Sequence, residues 1–140
     1  MTTTENKRVV ERFDDLFGRD DLAELDELCT PDMVNHALAP DRPAGLEGTR
    51  EFLRTQAKQF QGQSWTRLTI VAEGDYVAQF GSRGGTWTGG SLLGVDAPAG
   101  DYDRDFACMY RLEGGRIAER WAIRDDLGMF RQLGALRTTT

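Results

Sequence analysis

The 140-residue chain predicts an α+β domain in which three N-terminal helices pack on a curved, mainly antiparallel sheet. Three observations carry that prediction. Apolar residues recur at helical spacing through the first sixty positions. From Trp65 onward the period falls to two, as strands require. Glycine-bearing turns then separate the alternating segments at hairpin spacing. Helices followed by a run of strands give the α+β class. A chain of this length makes one domain, 1–140, with 1–5 and 136–140 expected as flexible ends.

Glu5 to Phe17 places Val9, Val10, Phe13, Leu16 and Phe17 on one helical stripe, and Gly18 offers the stop. A second, short helix is expected from about Leu22 to Cys29, with Asp20 or Asp21 as cap, and Thr30-Pro31 breaks it. The stretch 32–37 is compatible with strand or coil and holds the single histidine, His36. The turn-rich LAPDRPAGLEG follows, placed to cover a pocket mouth. The third helix, Thr49 to Phe60, carries Phe52, Leu53, Gln56 and Phe60 along one side.

TRLTIVAE and YVAQFGS, joined at Gly74-Asp75, read as a hairpin. Gly84 to Gly100 reads as a strand end and a long loop. Tyr102 to Leu112 then alternates again, with Phe106, Cys108, Tyr110 and Leu112 on one face, and Glu113-Gly114-Gly115 turns the chain into the last strand. There, strict alternation sets Ile117, Trp121, Ile123 and Asp125 on one face and Ala118, Arg120, Ala122 and Arg124 on the other. Asp125 thus ends an apolar face, where lost hydration raises a carboxyl pKa and suits it to proton transfer. Asp126 reads as the N-cap of a short final helix.

Three short helices do not fill such a sheet, so a concave pocket is expected, apolar with a few polar anchors. Asp125, His36 and Gln79 are the eligible polar residues. Gln79 reads more simply as pairing within its strand.

Seventeen basic against twenty-three acidic side chains give a net charge of −6, opposite to the electrostatic footprint of a nucleic-acid binder. No apolar run has the length of a membrane span, and MTTTENKR lacks the apolar centre of a signal peptide, so a cytoplasmic location is the expectation. Cys29 and Cys108 have no CxxC spacing, and with one histidine no zinc set is assembled. Gly84, Gly85, Gly89 and Gly90 open no helix, so no phosphate-binding loop is read.

The helix NKRVVERFDDLF, the segment DLAELDELCTPDMVNH, GLEGTREFL, GTWTG with GVDAPAG, and the tail RLEGGRIAERWAIRDDLGMFRQLG resemble the SnoaL-like polyketide cyclases of the NTF2-like superfamily. The resemblance runs from about Asn6 to Gly134. It implies a cone-shaped α+β barrel, a likeness in assembly to homodimers, and cofactor-free and metal-free chemistry on a small aromatic or polyketide-like substrate. The characterised cyclases close a ring by intramolecular aldol condensation of a methyl ester. Their catalytic aspartate falls on Asp125. Their histidine and glutamine partners fall on Cys108 and Phe106, which do not replace them, so an oxyanion partner is sought in His36, Tyr110 or water. Phe17 and Phe52 match pocket-lining positions, and Phe106, Cys108, Tyr110 and Trp121 complete the expected substrate surface.

Relatives that hydroxylate, isomerise or open epoxides, and a non-catalytic binder of small hydrophobic ligands, are the alternatives. Asp103-Arg104-Asp105 superficially matches an epoxide-hydrolase set, but strand alternation turns Arg104 away from both aspartates.

Overall fold

The computed structural model describes residues 1–136. Helix α1 (Thr3–Asp14) begins earlier than expected, because Thr2 and Glu5 form a reciprocal capping box that orders the first turn. The flexible stretch expected at 1–5 is therefore mostly helix. Of the tail expected to be flexible, residues 137–140 lie outside the described residues. The second helix shrinks to a single turn, α2 (Leu25–Leu28). A strand, β1 (Cys29–Asn35), separates it from α3 (Gly45–Gln59). Pro31 is accommodated because β1 is an edge strand.

The remaining elements are β2 (Phe60–Glu73), β3 (Tyr76–Trp87), β4 (Gly90–Leu92), β5 (Val95–Ala97), β6 (Gly100–Glu113), β7 (Arg116–Arg124) and α4 (Asp126–Gln132). The main sheet runs β1-β7-β6-β3-β2, antiparallel except for the parallel β1/β7 edge. The expected long loop after β3 is instead a small hairpin, β4/β5. It turns at Leu93 (φ 54°) and Gly94 (φ 76°), the two left-handed positions that match hairpin twist.

The sheet curves where β2 and β3 meet. A Cβ on Gly81 would lie 2.1 Å from the Arg67 carbonyl oxygen, beside a break in the β2/β3 register. Only glycine permits that approach, which bends the sheet into a half-cone. Val10, Phe13 and Leu16 of the first helix, Leu25 and Leu28 of α2, and Leu53 of α3 bury against Val77, Tyr110, Leu112 and Ile117. A second cluster of Phe60, Trp87, Tyr102, Met129, Phe130 and Leu133 closes the other end. Among the described residues, no helix is long and apolar enough to cross a membrane.

Strand β7 departs from strict alternation. Arg111 pairs with Glu119 but Leu112 pairs with Ile117, so Ala118 is an extra residue, a β-bulge. Ile117 and Ala118 are both buried, and beyond them the even positions Arg120, Ala122 and Arg124 face inward. Trp121 and Ile123 face outward. One inserted residue therefore moves the second half of the strand to the opposite face from that expected.

Candidate active site

Three cross-strand rows on the inner face build the floor of a cavity. From β3 through β6 to β7 they are Val77–Tyr110–Arg120, Gln79–Cys108–Ala122 and Gly81–Phe106–Arg124. Arg83 stands directly opposite Arg104 in the next row of β3 and β6. Asp14 descends from the end of α1 and Phe17 from the turn after it, Phe52 and Gln56 from α3, and Trp65 from β2. The cavity between these residues, its open mouth included, has a volume of about 500 Å³. Its lining is rich in aromatic side chains, which makes it a slot suited to a flat ring.

Among the described residues, Asp14 is the one carboxylate lining the slot. It belongs to the same helical stripe as Val10, Phe13 and Phe17, which carries it under the sheet rather than into water. Its oxygen accepts a hydrogen bond from Gln79 Nε2. Burial raises its carboxyl from 3.8 to about 6, although the Gln79 bond and the charges of Arg83 and Arg120 pull it down. Such a group is ionised at neutral pH yet close enough to it to give a proton back.

Around it, Arg120 Nε donates to the Tyr110 hydroxyl at 3.2 Å, and burial holds that phenol protonated, well above its ordinary range. Cys108 is buried and its thiol is likewise pushed up, so it is no thiolate nucleophile. Gln56 Oε1, Gln79 Oε1 and Arg83 Nε are buried and have no hydrogen-bond partner among the described residues. All three residues line the slot, and such atoms are costly unless something fills their valences. Among the described residues, no three His, Cys, Asp or Glu side chains converge as a metal set would.

Phe17, Phe52, Phe106, Cys108 and Tyr110, expected in the substrate surface, line the slot together. Trp121 does not: the bulge turns it to the outer face, where it stacks on His36 at 5.1 Å between ring centroids. His36 also sits outside, its Nε2 2.6 Å from Glu119, which in turn accepts from Arg111. Asp125 is exposed beyond the end of β7. Its side chain accepts from Gly128 N–H at 2.9 Å, so Asp125 and not Asp126 is the N-cap of α4. Asp126 instead pairs with Arg104 at 3.0 Å. Arg104 points inward while Asp103 and Asp105 stay exposed and bond Thr66 and Arg67, so the Asp-Arg-Asp run forms no site.

The residues missed from the sequence are Asp14, Arg83, Arg120 and Arg124. Asp14 had a signal, an acid inside an otherwise apolar stripe at positions 10, 13, 14 and 17. The arginines of β7 had none, because a bulge is not visible as a composition.

The family described as SnoaL-like polyketide cyclase matches residues 7–133. Among solved structures, TsrD from Streptomyces laurentii is 27% identical, with a TM-score of 0.84 over 97% of this chain and 99% of that one. IdmH from Streptomyces antibioticus, described as a candidate polyketide cyclase, is 29% identical with a TM-score of 0.76, covering 92% and 98%. AclR from Streptomyces galilaeus, described as a candidate hydroxylase, shares the fold at 20% identity and a TM-score of 0.78, covering 99% and 91%. No curated protein matches the chain.

Proposed function

The chain belongs to the SnoaL-like polyketide cyclase family, and from that premise we propose that it is a cyclase whose acid/base group is Asp14. The observation that carries this reading is the buried Asp14 carboxylate, raised to about 6 and oriented by Gln79, at the wall of an aromatic slot.

In the proposed reaction, the Asp14 carboxylate removes a proton from a carbon flanked by two carbonyls, and the electron pair is delocalised as an enolate. The enolate carbon then attacks a ketone of the same molecule, forming the ring C–C bond. The resulting alkoxide takes the proton back from the Asp14 carboxylic acid, so the enzyme ends as it began. Guanidinium N–H groups of Arg83 and Arg120 supply the positive field that favours the enolate. No electron donor or acceptor enters this cycle. The slot walls of Phe17, Phe52, Trp65 and Phe106 keep the substrate flat and exclude water.

The expectation that Asp125 supplies the proton transfer is replaced in this proposal, since its side chain is engaged at a helix terminus. The test is turnover of enolisable aromatic β-dicarbonyl polyketides, followed by mass spectrometry of the ring-closed product. Asp14→Asn is expected to lose about 10²-fold or more in rate, the usual contribution of a general acid/base. Parental turnover by that variant sinks the reading.

A further inference from the structure

The slot is cationic in a chain that is not. Against a net charge of −6, four guanidiniums line one cavity: Arg83, Arg104, Arg120 and Arg124. Arg104 has Asp126 as partner. Among the described residues, Arg83, Arg120 and Arg124 make no ion pair, and Asp14 accepts from Gln79 instead. Two of the four, Arg83 and Arg104, face one another across paired strands, an arrangement that costs stability between like charges. Arg124 stands in the neighbouring row on β7, opposite Phe106. Burial first, and then the field of Arg104, hold the Arg124 guanidinium below its ordinary value, with the nearby charge of Asp126 opposing them only in part.

Stacking alone does not account for them. Arg83 lies over Phe17 at 4.8 Å and over Trp65 at 4.6 Å, and Arg124 lies 5.7 Å from the Phe52 centroid. A ring engages the face of a guanidinium and leaves its in-plane N–H edge free. That edge matches the two oxygens of a carboxylate. The buried, unpartnered Arg83 Nε is one such donor.

We propose that the slot takes a planar aromatic carboxylate, its acid group held by Arg83, Arg104 and Arg124 and its ring between Phe52 and the packed pair Trp65–Phe106. This names the substrate class of the site read above as a cyclase, and rests on that reading for the chemistry though not for the binding. The family's methyl esters lack the charge these arginines require. A substrate of this class is a free acid, so the reaction that supplies it is one that leaves or unmasks a carboxylate.

Isothermal titration of the purified protein with 2-naphthoate and with its methyl ester tests the proposal. Neither compound has a position to enolise, so the result is independent of turnover. The acid is expected to bind at least tenfold more tightly than the ester, and Arg124→Gln to bring the two within twofold. Arg83→Gln, checked for folding by thermal denaturation, is the second variant. Equal binding of acid and ester, no binding of the acid at millimolar concentration, or an acid preference that survives Arg124→Gln overturns it. A parent that prefers the acid but never closes a ring leaves this proposal standing and removes the cyclase reading alone.

Discussion

Asp14 on α1 and Gln79 on β3, 65 residues apart in sequence, meet inside the cavity, where the Gln79 amide donates to the carboxylate. This contact fixes the acid under the sheet and opposes, without cancelling, the effect of its burial. Because the carboxyl is raised from 3.8 to about 6, the folded chain holds a proton that the unfolded chain has released across that interval. Stability from this group is complete below 3.8 and is lost as pH rises through 6, and the difference corresponds to about 3 kcal/mol. Asp14→Asn, which resembles the protonated form, is expected to be up to about 3 kcal/mol more stable than the parent at pH 7.5 and equal to it near pH 3.5. Urea denaturation at the two pH values checks both halves.

In the proposed reaction the same ionisation sets the activity profile. A base with its carboxyl at about 6 makes kcat/KM rise through that pH and level off above it. Gln79→Leu removes a hydrogen bond that favours the carboxylate, so the rise moves to higher pH. A charge-assisted bond worth about 1.5–3 kcal/mol moves it by roughly one to two pH units. An unmoved profile in a folded Gln79→Leu variant would mean that another group titrates.

How much of this was legible in the sequence depends on what sets each position. The helical stripe of Val10, Phe13 and Phe17 and the alternation of Phe106, Cys108 and Tyr110 follow from periods of 3.6 and 2, and those residues face inward as the periods require. Beyond Ile117 the same rule fails, because Ala118 adds one residue to β7 and exchanges the two faces. Asp125 and Trp121 were thereby placed inward, and Arg120 and Arg124 outward. Asp14 is a different case: the sequence carries no expectation for it, although Val10 and Phe13 beside it are core residues and Phe17 packs against them. The register of paired strands, which sets Arg83 against Arg104, is a tertiary fact with no local signature.

Tyr110 and Arg120 are bonded across β6 and β7, and both are buried. Tyr110→Phe leaves the buried Arg120 Nε without its hydrogen-bond acceptor. An unsatisfied donor there costs about 1–3 kcal/mol or more, since the group is charged. Denaturation midpoints in urea should fall accordingly with no change in slope.

The outer face carries two rows across four strands, the apolar Val71–Ala78–Met109–Trp121 and Thr69–Phe80–Ala107–Ile123, apolar beyond its threonine. Ile123 is 76% and Phe80 60% exposed. A contiguous apolar patch of that kind marks an interaction surface, and a second copy packing face to face through it is the homodimer we propose. Phe80→Glu with Ile123→Lys is expected to shift native mass from dimer to monomer without loss of folding. A monomeric parent would refute it.

Asp125 gives the sharpest contrast with Asp14. As the N-cap of α4 it holds the Gly128 N–H; that helix buries Met129 and Phe130 in the second core cluster. Asp125→Ala therefore costs about 0.5–2 kcal/mol, whereas Asp125→Asn keeps a capping oxygen and costs little. Under the assignment proposed here, Asp125→Asn retains turnover within a few-fold of the parent while Asp14→Asn loses it. Because asparagine caps as well as aspartate, a stable Asp125→Asn variant that is catalytically dead would be no consequence of a frayed helix. That result would return the proton transfer to the C-terminal aspartate and leave Asp14 as a structural acid held by Gln79.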